Sequence, residues 1–217
     1  MIDNKKKILI GVLGVQGDIE ENITATQNAL KDMEAAGDVT SVVYPEQIER
    51  VDGLILPGGE STVMSSLVAI HHGGIFQAIK KVISNDIPVL GTCAGMIMLS
   101  RRAYDRVVGE TKQQLLGSLD AEVERNAFGR QSESFEADLD IPFLGKESFR
   151  GVFIRSPVVN QVGNGVEVLS KINGKIVGVK QNNIIATAFH PELSGDTRLH
   201  RKFVERVIET KSHQKAK

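Results

Sequence analysis

Short, wholly apolar runs alternate with segments whose apolar residues recur at three and four through the first hundred residues. That alternation leaves few architectures open, because it describes parallel strands joined by crossover helices. The run at residues 8–13 opens the sheet, and runs at 39–44, 51–56 and 87–90 continue it. Between them, Asp18 can cap a helix with Ile19, Ile23, Thr26, Leu30 and Met33 on one face, which Gly37 stops. Ser61 can cap a second helix through Leu67 and Ile70, a third spans residues 75–83, and a fourth carries Met96, Ile97 and Leu99. The pattern predicts an α/β fold with a doubly wound, largely parallel sheet and helices on both faces.

After residue 140 the character changes. Strand-like runs at 149–154, 166–169, 175–179 and 184–189 are separated by turn-rich spacers, which predicts antiparallel hairpins in the C-terminal half. Asn173-Gly174 is the clearest of these turns, since both residues tolerate the positive φ of a type I' turn. A final amphipathic helix turns Leu199, Phe203, Val207 and Ile208 inward, and Lys211 to Lys217 reads as a frayed, solvated tail. With 217 residues, 41% of them hydrophobic, and no linker or repeat, one domain over 1–217 is expected, its ordered core about residues 7–210.

Charge and cysteine content exclude several functions. Lys plus Arg number 26 against 27 Asp plus Glu, so the net charge of -1 gives no footprint for nucleic acid or an anionic membrane. No apolar run approaches the roughly 20 residues of a membrane helix. Lys5-Lys6-Lys7 before an apolar run mimics a secretory signal, but Gly11 and Gly14 interrupt it and no cleavage pattern follows, so it reads as a buried strand. The single cysteine cannot form an internal disulfide, which predicts a reducing cytoplasm.

That cysteine is Cys93, and it stands between a buried strand and a helix with Gly91 and Gly95 at minus two and plus two. This is the nucleophile-elbow spacing with cysteine in place of serine, since so sharp a reversal needs small neighbours and lifts the nucleophile to the helix N-terminus, where thiolate is favoured. Of five histidines, His190 is the candidate base because it ends an apolar strand and precedes Pro191-Glu192. On an extended segment residues two apart share a face, so Glu192 can hold one ring nitrogen and direct the other at sulfur. His71 and His72 read as a helix terminus, His200 and His213 as solvated positions. Pro57-Gly58-Gly59-Glu60-Ser61 places a glycine pair where a strand becomes a helix, so backbone N–H groups there can face an oxyanion. Gly11 to Gly17 has G-x-x-G-x-x-G spacing, which does not fit a dinucleotide fingerprint, and neither a P-loop nor zinc-ligand spacing occurs.

Together the elbow Gly91-Thr92-Cys93-Ala94-Gly95 and the late His190-Pro191-Glu192 resemble the class I glutamine amidotransferase family. The blocks Gly11 to Gly17, Pro57 to Thr62, Val123 to Gln131, Ser134-Phe135-Glu136, Gly151 to Pro157 and Phe189 to Leu193 narrow the likeness to the glutaminase subunits of pyridoxal 5'-phosphate synthases. The resemblance implies a flavodoxin-like fold and hydrolysis of L-glutamine to L-glutamate, with ammonia passed to a separate synthase subunit in a hetero-oligomeric complex. It implies Cys93, His190 and Glu192 as the catalytic residues, and Gly58, Gly59, Glu60, Arg125, Ile154 and Arg155 as the residues that hold glutamine. Either arginine can meet the α-carboxylate. No metal or organic cofactor enters the scheme, because pyridoxal phosphate is the partner's product. The resemblance further implies a free subunit that is silent until it docks; the Gly58-Gly59 peptide, able to take either sign of φ, is the expected switch, and the Gln16 loop is either its relay or a structural turn. Two rivals stay open at this level: a glutaminase serving another biosynthetic complex, and a binding module whose Gly14 to Gly17 and Gly58-Gly59 loops cradle a phosphate.

Overall fold

A computed structural model describes residues 7–70, 74–105, 107–128 and 134–214. His71, His72, Gly129, Arg130 and Gln131, each given a role above, lie outside the described residues. The first half runs β1 (Ile8–Leu13), α1 (Ile19–Asp32), β2 (Gly37–Val42), α2 (Pro45–Ile48), β3 (Gly53–Leu56), α3 (Ser61–Ile70), α4 (Gly74–Ser84), β4 (Val89–Thr92) and α5 (Ala94–Leu99). The second half holds β5 (Ser100–Asp105), β6 (Gly109–Glu110), β7 (Leu119–Arg125), β8 (Phe135–Leu139), β9 (Phe149–Phe153), β10 (Val158–Val162), β11 (Glu167–Ile172), β12 (Lys175–Gln181), β13 (Ile184–Thr187) and α6 (Arg198–Gln214). Gly37 does not end the first helix; α1 has already stopped at Asp32, and Gly37 opens the next strand.

The main sheet has the order β2-β1-β3-β4-β13-β12-β10-β7-β5-β6, with β11 paired to β12. Strands β2, β1, β3, β4 and β13 are mutually parallel, and β12, β10 and β11 add antiparallel pairings. The mixed sheet therefore has the expected doubly wound half and hairpin half. Every residue of β3, β4 and β13 is buried, as continuous apolar runs covered on both faces should be. Edge strand β2 alternates instead, with only Val42 buried. Asn173 and Gly174 take φ of 49° and 77° between β11 and β12, the positive pair a type I' turn requires.

The expected strand at 149–154 does not join the main sheet. As β9 it pairs with β8 in a separate two-stranded flap. Aromatic packing fixes that flap to the sheet's edge: Phe135 stacks on Phe153 at 4.7 Å, and Phe153 and Phe149 each lie 5.7 Å from Phe189. Phe189 immediately precedes His190, whose N–H donates to the Val152 carbonyl at 2.8 Å, so the flap registers the end of β13 directly.

Two expectations for the last helix are corrected. Helix α6 continues to Gln214, and the Lys211 ammonium lies 2.5 Å from Asp52 Oδ2 and donates to the Lys7 carbonyl at 3.0 Å. Asp52 Oδ2 also accepts the Leu9 N–H, so this part of the supposed tail is tied to β1. His200 is fully buried rather than solvated. The inward stripe is wider than the row of Leu199, Phe203 and Val207, since Val204 is buried too, and His200 shares its four-residue row.

Desolvation pushes the His200 imidazole down from 6.5 to about 4, and it forms no hydrogen bond among the described residues. The folded chain holds it neutral, while the unfolded chain protonates it below about pH 6.5. Its depressed value therefore costs stability as pH falls from about 6.5 to about 4, by roughly 3 kcal/mol in full. Urea denaturation across that range should show a slope that is reduced in His200→Leu; equal slopes in the two proteins would refute the assignment.

Candidate active site

The chain reverses direction at Cys93, between β4 and α5, with φ 47° and ψ −100°. A non-glycine residue in that region costs on the order of 1–3 kcal/mol and persists only where the surroundings over-determine it. Here they do. The Cys93 N–H donates to the Thr187 carbonyl of neighbouring β13 at 2.8 Å, and the Cys93 carbonyl accepts from Ile97 N–H at 3.2 Å. The two flanking glycines make the close approach possible: a Cβ on Gly95 would run into the Leu56 carbonyl oxygen of β3, and one on Gly91 would meet Leu99 at 2.5 Å. The sulfur is left near the Ile154 carbonyl at 4.0 Å, with the residue 6% exposed.

His190 leaves the end of the β13 run, and residues Pro191–Leu193 form a 3-10 turn rather than an extended segment. Its pairing with Glu192 therefore comes from a turn, not from strand alternation, and it is close: Nδ1 lies 2.9 Å from Glu192 Oε1. A second carboxylate, Asp18 Oδ2, stands 3.0 Å from the same nitrogen. Asp18 was expected to cap α1, but its side chain makes no capping bond because it is turned toward this imidazole. Nε2 makes no hydrogen bond among the described residues and is the nitrogen left for the sulfur.

Burial alone would push the His190 imidazole down. The Asp18 and Glu192 carboxylates at Nδ1 and the charge on nearby Cys93 outweigh it and hold the ring well above 6.5. Burial also pushes the Glu192 carboxyl up, against the pull of His190. Ring and carboxyl thus compete for one proton, and the imidazole keeps it because two carboxylates and the sulfur face the ring.

A cavity of about 200 Å³ opens in front of Cys93. That is below the roughly 300 Å³ at which drug-sized sites begin, so it suits a substrate of few heavy atoms. Of the nine residues singled out from sequence, Cys93, His190, Gly59, Glu60, Arg125, Ile154 and Arg155 line it. Gly58 and Glu192 do not; Gly58 packs against the His190 ring and Glu192 stands behind that ring. The Arg125 guanidinium bonds Glu60 Oε1 and Thr62 Oγ1, both at 2.9 Å, while Arg155 is exposed at φ 44°. Glu60 also caps α3, its Oε2 accepting the Val63 N–H at 2.7 Å. Ser61, the expected cap, is instead the first helical residue, and its hydroxyl meets Gln113.

Sequence reasoning missed three residues here. Gln113 accepts from Ser61, Thr62 and Arg125, yet it belongs to an irregular stretch without periodicity. Asn126, at φ 52°, lines the cavity; it lies inside the Val123 to Gln131 block but was not singled out there, and Asn is among the few residues that accept this conformation. Asp18 carried the signal of a cap alone. Gln16 was read as a loop relay, and its Oε1 accepts the Glu60 N–H at 3.0 Å beside Gly59. The glycine-rich loops close on the protein itself. A Cβ on Gly17 would strike the Gly58 carbonyl and one on Gly14 the Ser41 hydroxyl, so these two glycines serve close packing between segments.

Residues 12–209 match the model of the SNO glutamine amidotransferase family. The chain belongs to that family. A pyridoxal 5'-phosphate synthase subunit PdxT from Nitrosopumilus maritimus is 46% identical over 202 residues, 93% of this chain and 98% of the relative. The subunit of the same name from Archaeoglobus fulgidus is 47% identical over 196 residues, 90% and 96% of the two chains. A glutamine amidotransferase of known crystal structure superposes with a TM-score of 0.77 at 42% identity, covering 91% of this chain and 98% of its own. PurLQS from Thermotoga maritima, at 15% identity and a TM-score of 0.59 with 94% and 98% of the two chains covered, shares the fold alone. As a family member, the chain is a glutamine-hydrolysing enzyme with the class I amidotransferase fold. No helix among the described residues is long and apolar enough to cross a membrane.

Because the obstacle facing Gly95 is a backbone carbonyl that cannot rotate away, Gly95→Ala should destabilise the chain by about 3 kcal/mol. Urea denaturation followed by circular dichroism reads this. An unchanged midpoint would mean that the elbow tolerates a looser packing.

Proposed function

We propose that this chain is the glutaminase subunit of a pyridoxal 5'-phosphate synthase, in which Cys93, His190 and Glu192 form the catalytic triad. The observation that carries the reading is a single small cavity where the Cys93 sulfur, an imidazole backed by the buried Glu192, and Arg125 and Arg155 converge. The pathway is supported by the name shared by the relatives, which align with this chain over nearly their full length.

In this scheme the Cys93 thiolate adds to the side-chain amide carbon of L-glutamine, and the carbonyl electron pair moves onto oxygen. Backbone N–H groups of the Gly58-Gly59 segment receive that oxyanion. The intermediate collapses with cleavage of the C–N bond as the imidazolium of His190 gives its proton to the departing nitrogen. Ammonia and a glutamyl thioester result. Water then adds to the thioester while His190 takes its proton. The C–S bond breaks, releasing L-glutamate and restoring the thiolate. Glu192 holds the Nδ1–H, which keeps Nε2 aimed at the sulfur.

Glu60, Ile154 and the two arginines hold the amino-acid end of the substrate. The low exposure of Arg125 and its bonds to Glu60 and Thr62 support it as the partner of the α-carboxylate, with Arg155 closing from the flap. The ammonia passes to the synthase subunit in a hetero-oligomeric complex, and the chain acts as one domain in a reducing cytoplasm, where its free thiol persists. Neither nucleic acid nor a membrane has a part in this reading.

Cys93→Ser should stay folded and bind glutamine, yet lose turnover at least about 1000-fold in complex with the synthase subunit, while synthesis from added ammonium salts continues. Ammonia release near the parent rate would sink the assignment. For Glu192→Gln, turnover should fall about 100-fold or more, because the side chain keeps its shape but no longer balances the imidazolium charge. Glutaminase rate and thermal midpoint read together check this, and normal turnover at unchanged stability would remove Glu192 from the mechanism.

A further inference from the structure

Asp18 precedes α1 without a side-chain capping bond and is not a member of the triad, yet it touches both the Gly58-Gly59 peptide and His190. Its backbone N–H donates to the Gly58 carbonyl at 3.1 Å, and that carbonyl belongs to the same peptide unit as the Gly59 N–H. Its carboxylate reaches His190 Nδ1 at 3.0 Å while lining the cavity. Gly58 fills the angle between them, since a Cβ there would lie 2.7 Å from Asp18 Oδ2 and run into the His190 ring. Gln16 and Gly17 lead into this residue, and Gln16 binds the Glu60 N–H on the far side of the glycine pair.

We infer that Asp18 is a positioning residue that couples the orientation of the Gly58-Gly59 peptide to the charge state of His190. The inference rests on the reading of His190 as the acid and base of glutamine hydrolysis. Its chemistry follows from a shared donor. One Nδ1–H cannot point straight at two carboxylate oxygens 2.9 Å and 3.0 Å away, so the second carboxylate acts through its charge and by rocking the ring. Two negative neighbours favour the imidazolium, which the departure of ammonia needs and the activation of water does not.

A device that loosens the Asp18 contact after the thioester forms would therefore speed the second half of the cycle. The Gly58 carbonyl supplies that device. A turn of the Gly58-Gly59 peptide would take from Asp18 the acceptor for its N–H and with it part of what holds its carboxylate against the ring. The groups facing His190 are Asp18 from the loop before α1, Cys93 from the elbow, and Glu192 from the turn after β13. Of these, Asp18 is the one joined to the glycine pair through its backbone. That places a control of imidazole charge on the same peptide that would present an oxyanion donor.

The test uses Asp18→Asn in the full chain, because asparagine keeps the backbone N–H and the side-chain shape while removing the charge. Nitrogen-15 NMR of His190 should show its titration moved down by about 1–2 pH units, with the thermal midpoint little changed. In complex with the synthase subunit, the pH profile of glutaminase turnover should move acidward by a similar amount. If Asp18→Asn does not fold, Asp18→Ser, which also keeps the N–H, is measured in the same way. An unshifted His190 titration in a folded variant overturns the inference. Turnover that survives Cys93→Ser overturns instead the reading on which it rests, and the NMR result identifies which of the two has failed.

Discussion

Everything in the site depends on the reversal at Cys93. A strand that ends in the sheet's interior must become a helix within one residue, and the backbone there sits in a region that a side-chain-bearing residue rarely adopts. Two contacts force it: the hydrogen bond from Cys93 N–H to β13, and the packing of Gly95 on the β3 carbonyl. Both come from the strands on either side of β4. The strain at Cys93 is therefore held by the parallel core of the sheet, where burial is complete and relaxation costs most.

The same strand order explains why distant segments meet. β1, β3, β4 and β13 lie side by side and parallel, so their C-terminal ends present Asp18, Gly58, Cys93 and His190 along one edge, where ligands collect in open α/β sheets. The antiparallel half adds what a bare sheet edge lacks. The β8–β9 flap, locked by stacked Phe135 and Phe153 and by Phe189, brings Ile154 and Arg155 over the sulfur, and β7 ends in Arg125. Parallel strands bring Cys93 and His190 to the cavity and the added hairpins supply its walls.

Electrostatically the site is a compact balance around one proton. Three groups that can carry negative charge, Asp18, Glu192 and Cys93, face one imidazole that burial would otherwise discharge. Water is largely excluded, since His190 is 3% exposed and the Glu192 side chain 0%, so each of these charges acts at closer to full strength than it would at the surface. A change in any contact is therefore felt by the ring.

Periodicity and glycine spacing made much of this legible. The apolar runs marked the parallel strands because fully buried strands must be apolar throughout, and Gly91 and Gly95 marked the elbow because no larger residue fits there. Asn173-Gly174 marked its hairpin through the φ it allows. Strand ends were displaced by a few residues, since register is set by neighbours. The assignments that failed have a common cause. Asp18 and Ser61 were read as caps, Lys211 as tail and His200 as solvated, each from its own few residues. In the fold the Asp18 carboxylate turns to a histidine 172 positions away, Glu60 takes the capping role, Lys211 meets Asp52, and a second apolar row buries His200. By itself the sequence determined the sheet's parallel half, the elbow and the residue types that meet at the site. Only the tertiary structure decided which polar side chains share a proton, because that depends on distances between segments that no local pattern encodes.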